Sequence, residues 1–330
     1  MLRFVTRRLF YAIVILLIVI VAVYAIFALL PFDPAALTCG QHCTPQIVHS
    51  NAVRLGYDKP LLEQFWLYLH GLLMGRTYGA GSGAPHCPAP SFGFSYNQNE
   101  CVTTLLAQAF PVTISLAIGA LIMWLIVGVG LGILAARQRG KFLDTASSVF
   151  VLLGTSLPVF VTGLFLLIWI SIKFHWIAIH LSGYVSIFQS PLGFISYFFL
   201  PWVTLAFAFA ALYTRFTRST ILETLSEDYV RTARAKGLKE SIVFRKHTFR
   251  AALAPIATMA SLDFASLIGG AILTESIFNL PGLGHLTIDS IFEFDLPVVI
   301  ATTIVAAAVV IVMNLVVDLL YAVLDPRVRV

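Results

Sequence analysis

The chain has 330 residues, of which 59% are hydrophobic and only 11% charged, with a formal net charge of +5. A soluble domain carries roughly 45–50% apolar residues, glycine included, and roughly 25% charged ones. So few charges cannot cover the exterior of a water-soluble fold of this size, which excludes a globular protein of the cytosol and requires apolar surface facing lipid.

Uncharged runs locate the membrane spans. A bilayer core of about 30 Å takes about 20 helical residues. No Asp, Glu, Lys or Arg occurs between Arg8 and Asp33, Glu100 and Arg137, Asp144 and Lys173, Lys173 and Arg215, or Asp295 and Asp318. A further apolar segment near Ala251–Phe278 is interrupted by Asp263 and Glu275. The pattern predicts an all-α integral membrane protein with six transmembrane helices near 8–30, 106–135, 146–172, 194–215, 252–277 and 297–321, because backbone in lipid must satisfy its own hydrogen bonds. The first run is too long for the apolar core of a signal peptide and ends at Pro31–Phe32–Asp33–Pro34, so it reads as a retained span. Domain organisation follows: 1–30 with helix 1, an extracytoplasmic insertion at 31–103, and a core at 104–330 containing helices 2–6 and a cytoplasmic loop at 215–250.

Charge sets the orientation. With the N-terminus inside, seventeen of the 21 Lys and Arg fall on the cytoplasmic side; Arg54, Lys59, Arg76 and Lys173 fall outside. Both termini are therefore expected in the cytoplasm. The net positive charge reflects topology and contact with the lipid bilayer, and gives no case for nucleic acid binding.

All four cysteines, Cys39, Cys43, Cys87 and Cys101, lie between helices 1 and 2, on the oxidising side. An even count there predicts two disulfides stapling the insertion. A zinc site is the other possibility, since His42 and His86 precede Cys43 and Cys87; disulfides are favoured, in one of three connectivities of which Cys39–Cys43 with Cys87–Cys101 is preferred, and no metal is assigned. Leu61–Gly75 is expected to form an interfacial helix anchored by Trp66 and Tyr68, with Pro60 opening it. Gly79–Asn99 reads as irregular, a cap over the pore or a lid that recognises substrate.

The cytoplasmic loop carries the strongest functional pattern. Thr224–Leu–Ser–Glu227 has the spacing of a capping box, and Glu227 and Asp228 suit a helix N-terminus. Val230, Ala233 and Gly237 share one face, and Gly237 can end the helix in a left-handed cap. A basic helix, Ser241–Arg250, follows. A solvated basic loop is the plainer reading, but a stripe of small residues lets another protein backbone approach.

Glu227–Asp–Tyr–Val–Arg–Thr–Ala–Arg–Ala–Lys–Gly237 resembles the EAA loop of ABC-importer permeases in its dipeptide/oligopeptide form. The resemblance covers nearly the whole chain: Arg7–Arg8–Leu9, Leu30–Pro–Phe–Asp–Pro34, Leu55–Gly–Tyr–Asp–Lys–Pro60, Gly132–Ile–Leu–Ala–Ala–Arg137, Leu157–Pro158, Glu275–Ser–Ile–Phe–Asn–Leu–Pro–Gly–Leu–Gly284, Asn314–Leu–Val–Val–Asp–Leu–Leu–Tyr321 and Leu324–Asp–Pro–Arg327. The order is similar to that of the first of two permease subunits. Arg231–Thr232–Ala233 stands where the general pattern has Glu–Ala–Ala, and the cysteine-bearing insertion is unusual. The resemblance implies a permease of the bacterial cytoplasmic (inner) membrane, paired with a second homologous permease, two ATP-binding subunits and an extracytoplasmic solute-binding protein. It implies no catalytic residues and no cofactor in this chain, with ATP and Mg on the ATPase. Coupling to that ATPase would fall to Glu227, Asp228, Tyr229, Ala233, Arg234, Lys236 and Gly237. Gly140–Lys141 lacks the upstream glycine of a phosphate-binding loop, in keeping with that division.

Asp263 sits deep in the fifth predicted span, where an ionised carboxylate costs about 2.5–3.5 kcal/mol on insertion scales. It either lines the substrate pathway and meets a peptide's amino end or pairs with a neighbouring helix. Glu275 and Asp318 read as structural. Gly269–Gly270–Ala271 permits a close helix approach, Pro158 a kink, and Phe207, Phe209 and Tyr213 are expected to face lipid. The competing class is an ATP-independent channel or secondary carrier. It would need ionisable relays at mid-membrane, and only one clear mid-span carboxylate is present.

Overall fold

The computed structural model describes residues 2–28, 34–37, 44–79, 84–173 and 184–324. The proposed Cys39–Cys43 bridge, His42 and the Asp325–Pro326–Arg327 segment lie outside the described residues.

The protein is mostly helical, as its composition predicts. Among the described residues, four helices are long and apolar enough to cross a membrane: Val5–Phe27, Val102–Arg137, Pro191–Ser226 and Leu296–Val316. A fifth crossing is reached if Phe142–Ser156 and Val159–Ile170, bent by 99°, act as one broken span. The bend sits at Leu157–Pro158, where proline removes a backbone donor and forces the preceding residue out of the helical region. Among the described residues, four of the six expected spans are met in this way, or five with the bent pair. The remaining expected span is helical as Arg250–Gly270 and Ile272–Ile277.

The chain divides into two compact units. The first comprises Met1–Val5, Ile114–Leu280 and Met313–Val330. It is organised around the 36-residue Pro191–Ser226 helix, whose start is fixed by Ser190: its hydroxyl accepts from the Gly193 N–H at 3.2 Å, and Pro191 follows in the first turn. This helix runs eleven residues past the expected boundary at 215. The Val102–Arg137 helix packs against it through glycines. A Cβ on Gly119 would fall 2.0 Å from the Trp202 ring, one on Gly128 2.8 Å from the Ala210 carbonyl, and one on Gly132 2.9 Å from the Thr214 carbonyl. From the Phe142–Ser156 helix, a Cβ on Gly154 would meet Ala211 Cβ at 2.4 Å. Backbones this close allow dense van der Waals packing where lipid supplies no hydrophobic drive. Tyr213 is fully buried against Trp124, which also stacks on Phe209 at 4.6 Å, and Phe207 meets Phe150 edge-on. Of the aromatic cluster expected to face lipid, Tyr213 is therefore buried inside the chain, while Phe207 and Phe209 are half-buried.

The second unit comprises Thr6–Thr113 and Pro281–Val312. Its insertion is not purely helical. Two short antiparallel ladders pair Arg76–Thr77 with His86–Cys87, and Phe94–Ser95 with Glu100–Cys101. Cys87 and Cys101 form a disulfide that joins the ladders, which takes Cys87 out of any metal site. Ser95 donates a hydrogen bond to Asp295, and Asn97 donates to the Glu293 carbonyl at 2.9 Å, tying the insertion to the entrance of the last helix. Burial pushes the Asp295 carboxyl above its ordinary range, opposed by the Ser95 bond. Leu61–Met74 is helical, with Pro60 at the cap position. Trp66, Leu62, Leu73 and Met74 are exposed on it, as an interfacial helix requires. Tyr68, expected as a second anchor, instead packs inward against Tyr24, 5.5 Å between rings.

Candidate functional site

The basic end of the first unit gathers the cytoplasmic-loop residues. The long helix stops at Ser226, and Glu227, in extended conformation, turns the chain into the short helix Asp228–Ala235. No capping box forms: Glu227 makes no side-chain cap bond, and the Thr224 hydroxyl donates to the Thr220 carbonyl at 2.8 Å because residue 224 is still inside the preceding helix. Gly237, at φ +76°, ends the helix in the left-handed cap its position predicts, with its N–H on the Arg234 carbonyl at 2.9 Å.

The small-residue face is occupied from within. Val230 and Ala233 are buried against Val243, with Leu225 beside them. Spacing had pointed to a docking stripe for another protein; the chain's own Glu240–Phe249 segment covers it instead. Arg234 donates through Nε (3.1 Å) and Nη2 (2.6 Å) to the two carboxylate oxygens of Glu240. That clasp raises the Arg234 pKa and lowers that of Glu240. What the short helix presents outward is Asp228, Tyr229, Arg231, Thr232 and Lys236, all exposed.

A second tie lies nearby. Asp144, at the start of the Phe142–Ser156 helix, accepts from Arg218 Nε at 2.6 Å, from Arg218 Nη2 at 3.0 Å and from the Gly140 N–H at 2.9 Å. Arg137 stacks over the Phe244 ring at 4.9 Å. The two ties connect the Arg137–Asp144 turn to the long helix and to the segment covering the short one. Sequence reasoning passed over Asp144 and Arg218, which lie 74 residues apart.

Within the apolar part of the unit, half-buried Asp263 accepts a 2.6 Å hydrogen bond from the Tyr213 hydroxyl. An in-chain partner thus compensates part of the cost of placing this carboxylate there. Glu275 is completely buried, which fits its structural reading.

Residues 128–330 match the family described as binding-protein-dependent transport system inner membrane component, and residues 1–117 match its N-terminal family. The chain belongs to this permease family. A probable peptide ABC transporter permease protein y4tP of Sinorhizobium fredii is 36% identical over 326 residues, 99% of both chains. The glutathione transport system permease protein GsiC of Shigella flexneri is 37% identical over 331 residues, 100% of this chain and 99% of the relative. Among solved structures, an inward-facing form of the MetNI methionine ABC transporter matches with a TM-score of 0.53 at 16% identity, covering 68% of this permease and 97% of that chain. That likeness extends to the fold alone.

Proposed function

We propose that this permease forms half of the pathway of an ATP-driven importer for peptides or peptide-like solutes such as glutathione, and that Asp228–Ala235 is its coupling helix. Its partners are a second permease, two ATP-binding subunits that carry ATP and Mg, and an extracytoplasmic solute-binding protein. Both termini lie in the cytoplasm, and the 31–103 insertion faces the opposite side of the inner membrane. Full-length similarity to peptide and glutathione permeases supports the substrate class.

The observation that carries the coupling assignment is the seat of the short helix. It is attached to the end of the longest helix, backed by Val243 and clasped by Arg234–Glu240, so a push on its exposed face moves the long helix instead of folding the loop. Closure of an ATPase dimer beneath it then becomes a rigid-body shift of the spans, the basis of alternating access. Glu227 and Asp228 open this helix, Tyr229 and Lys236 form its contact face, Ala233 seats it, and Gly237 releases the chain from it. Asp263, with one oxygen held by Tyr213, is proposed to meet the cationic amino end of the substrate.

The test uses the complex co-expressed with its ATP-binding subunits. Gly237→Val forces a β-branched residue into the left-handed region although nothing lies within 4 Å of its Cβ, and Ala233→Trp overfills the seat. Both variants are expected to insert normally, to lose ATPase co-purification and to abolish ATP-driven uptake in proteoliposomes. Wild-type uptake by both would remove the coupling role.

A further inference from the structure

The second unit encloses a cavity of about 390 Å³ that the transport reading leaves unused. This is within the roughly 300–1,000 Å³ of small-molecule sites. Separate parts of the chain build it. Phe27 is the last residue of the first apolar span, and Leu296, Pro297 and Ile300 open the final one. Leu61, Gln64 and Tyr68 come from one face of the Leu61–Met74 helix, at the spacing of successive helical turns. Tyr57, Tyr78, Phe92 and Phe94 close further sides from the insertion. Gly93 seats the last of these segments on the span: a Cβ there would lie 2.9 Å from the Pro297 side chain.

Gln64, Tyr78 and Arg76, polar members of the wall, already have partners in the chain. Gln64 donates to the Tyr57 carbonyl at 3.2 Å and to the Lys59 carbonyl at 2.7 Å. The Tyr78 hydroxyl pairs with Ser91 at 3.3 Å. The Arg76 guanidinium lies over the Tyr78 ring at 4.9 Å and is engaged further within the chain, so it calls for no anion. Burial pushes the Tyr57 and Tyr78 phenols above their ordinary range, which keeps them uncharged at neutral pH. What the wall offers an occupant is aromatic and aliphatic surface, and that favours an uncharged apolar body.

Its depth points to the source of such a body. The ends of two spans meet in its wall, which places it at one boundary of the bilayer, where headgroups give way to acyl chains. The Leu61–Met74 helix beside it exposes Leu62, Trp66, Leu73 and Met74, as a helix resting among lipids does. Leu61, 49% exposed, belongs both to the cavity wall and to that apolar surface, which puts the mouth on the lipid side. We propose that the cavity holds one acyl chain of a bilayer lipid, inserted past Leu61 with its headgroup left outside. This lipid site requires neither nucleotide nor transported solute.

Photolabelling of the full chain in nanodiscs tests this. The probe is a phosphatidylcholine with a diazirine at the end of one acyl chain, diluted into unlabelled phosphatidylcholine, and labelled residues are mapped by peptide mass spectrometry. Tyr78 and Phe94 line the cavity and are only 7% and 3% exposed, so label on them arrives from inside. Ile18, 61% exposed on the first span, reports ordinary lipid contact. In the wild type both the inner pair and Ile18 are expected to be labelled. Ile300→Trp and Ala52→Phe fill the cavity from the last span and from the Pro45–Leu55 helix, and both are expected to lose the inner label and keep that at Ile18. Wild-type label confined to exposed positions such as Ile18 would overturn the proposal without reference to any variant, as would inner label that persists in both filled variants. Removal of the inner label by excess tri-leucine would give the cavity to a soluble solute and overturn it too. Because no ATPase takes part, this outcome is independent of the coupling test.

Discussion

Removing the Arg218 side chain tests how the basic end of this permease is held together. The Asp144 carboxylate is 11% exposed and receives three hydrogen bonds, two of them from a guanidinium. Arg218→Ala leaves that carboxylate with the Gly140 N–H alone. Breaking a fully buried ion pair costs about 3–5 kcal/mol, and the 32% exposure of the arginine lets water recover part of this, so the expected loss is about 2–3 kcal/mol. Asp144→Asn keeps the shape and removes the charge, for an expected loss of about 1–2 kcal/mol. The decisive quantity is the coupling. Asp144→Ala combined with Arg218→Ala should cost about 2 kcal/mol less than the sum of the single changes, because the second removal no longer strands a charge. Equilibrium unfolding in mixed micelles, followed by tryptophan fluorescence, measures all four corners of the cycle. A coupling below about 0.5 kcal/mol, the additive limit for independent sites, would refute the claim that this pair fastens the turn to the long helix.

Gly132→Leu should prevent the Val102–Arg137 and Pro191–Ser226 helices from closing, since its Cβ would sit 2.9 Å from a backbone carbonyl that cannot yield; the readout is loss of the monodisperse species in gel filtration, against normal behaviour for Gly130→Leu, where the space is open. Cys87→Ser with Cys101→Ser releases a loop of 14 residues and should cost about 3 kcal/mol of stability in the insertion, measured as faster proteolysis of the segment between them. The Arg234–Glu240 clasp should respond to acid. The folded pKa of Glu240 is lowered, so its contribution is complete above the ordinary value of 4.5 and is lost as pH falls through the lowered one. Both side chains are largely exposed, so the effect is small. Hydrogen exchange at Asp228–Gly237, corrected for intrinsic rates, should be unchanged between pH 7 and 6 and rise only well below pH 4.5; a rise near neutrality would point to another group.

Much of the fold was legible in one dimension because the bilayer imposes a one-dimensional rule. Uncharged runs gave the long helices, and Leu157–Pro158 gave the break between residues 156 and 159. The Leu61–Met74 helix and Gly237 as a left-handed stop were equally readable, since each depends on local chemistry. An even cysteine count in one segment predicted disulfides but left three connectivities open, and the structure pairs Cys87 with Cys101. The capping-box spacing misled because a boundary signal was read at Thr224 when the helix that buries Thr217 and Ile221 had not yet ended. Tertiary packing overrode local propensity there.

The sequence by itself determined that this is a membrane protein of the binding-protein-dependent permease family with a short helix in a basic loop, because composition, run length and motif order are properties of the chain. Only the tertiary structure decided what each polar or small residue faces. Asp144 finds Arg218, Asp263 finds Tyr213 at a separation of 50 residues, and Val243 takes the face of Ala233 that spacing had offered to a partner. In an apolar surrounding an unpaired charge or an unfilled gap is costly, so those pairings are chosen by proximity in space, which periodicity along the chain does not encode.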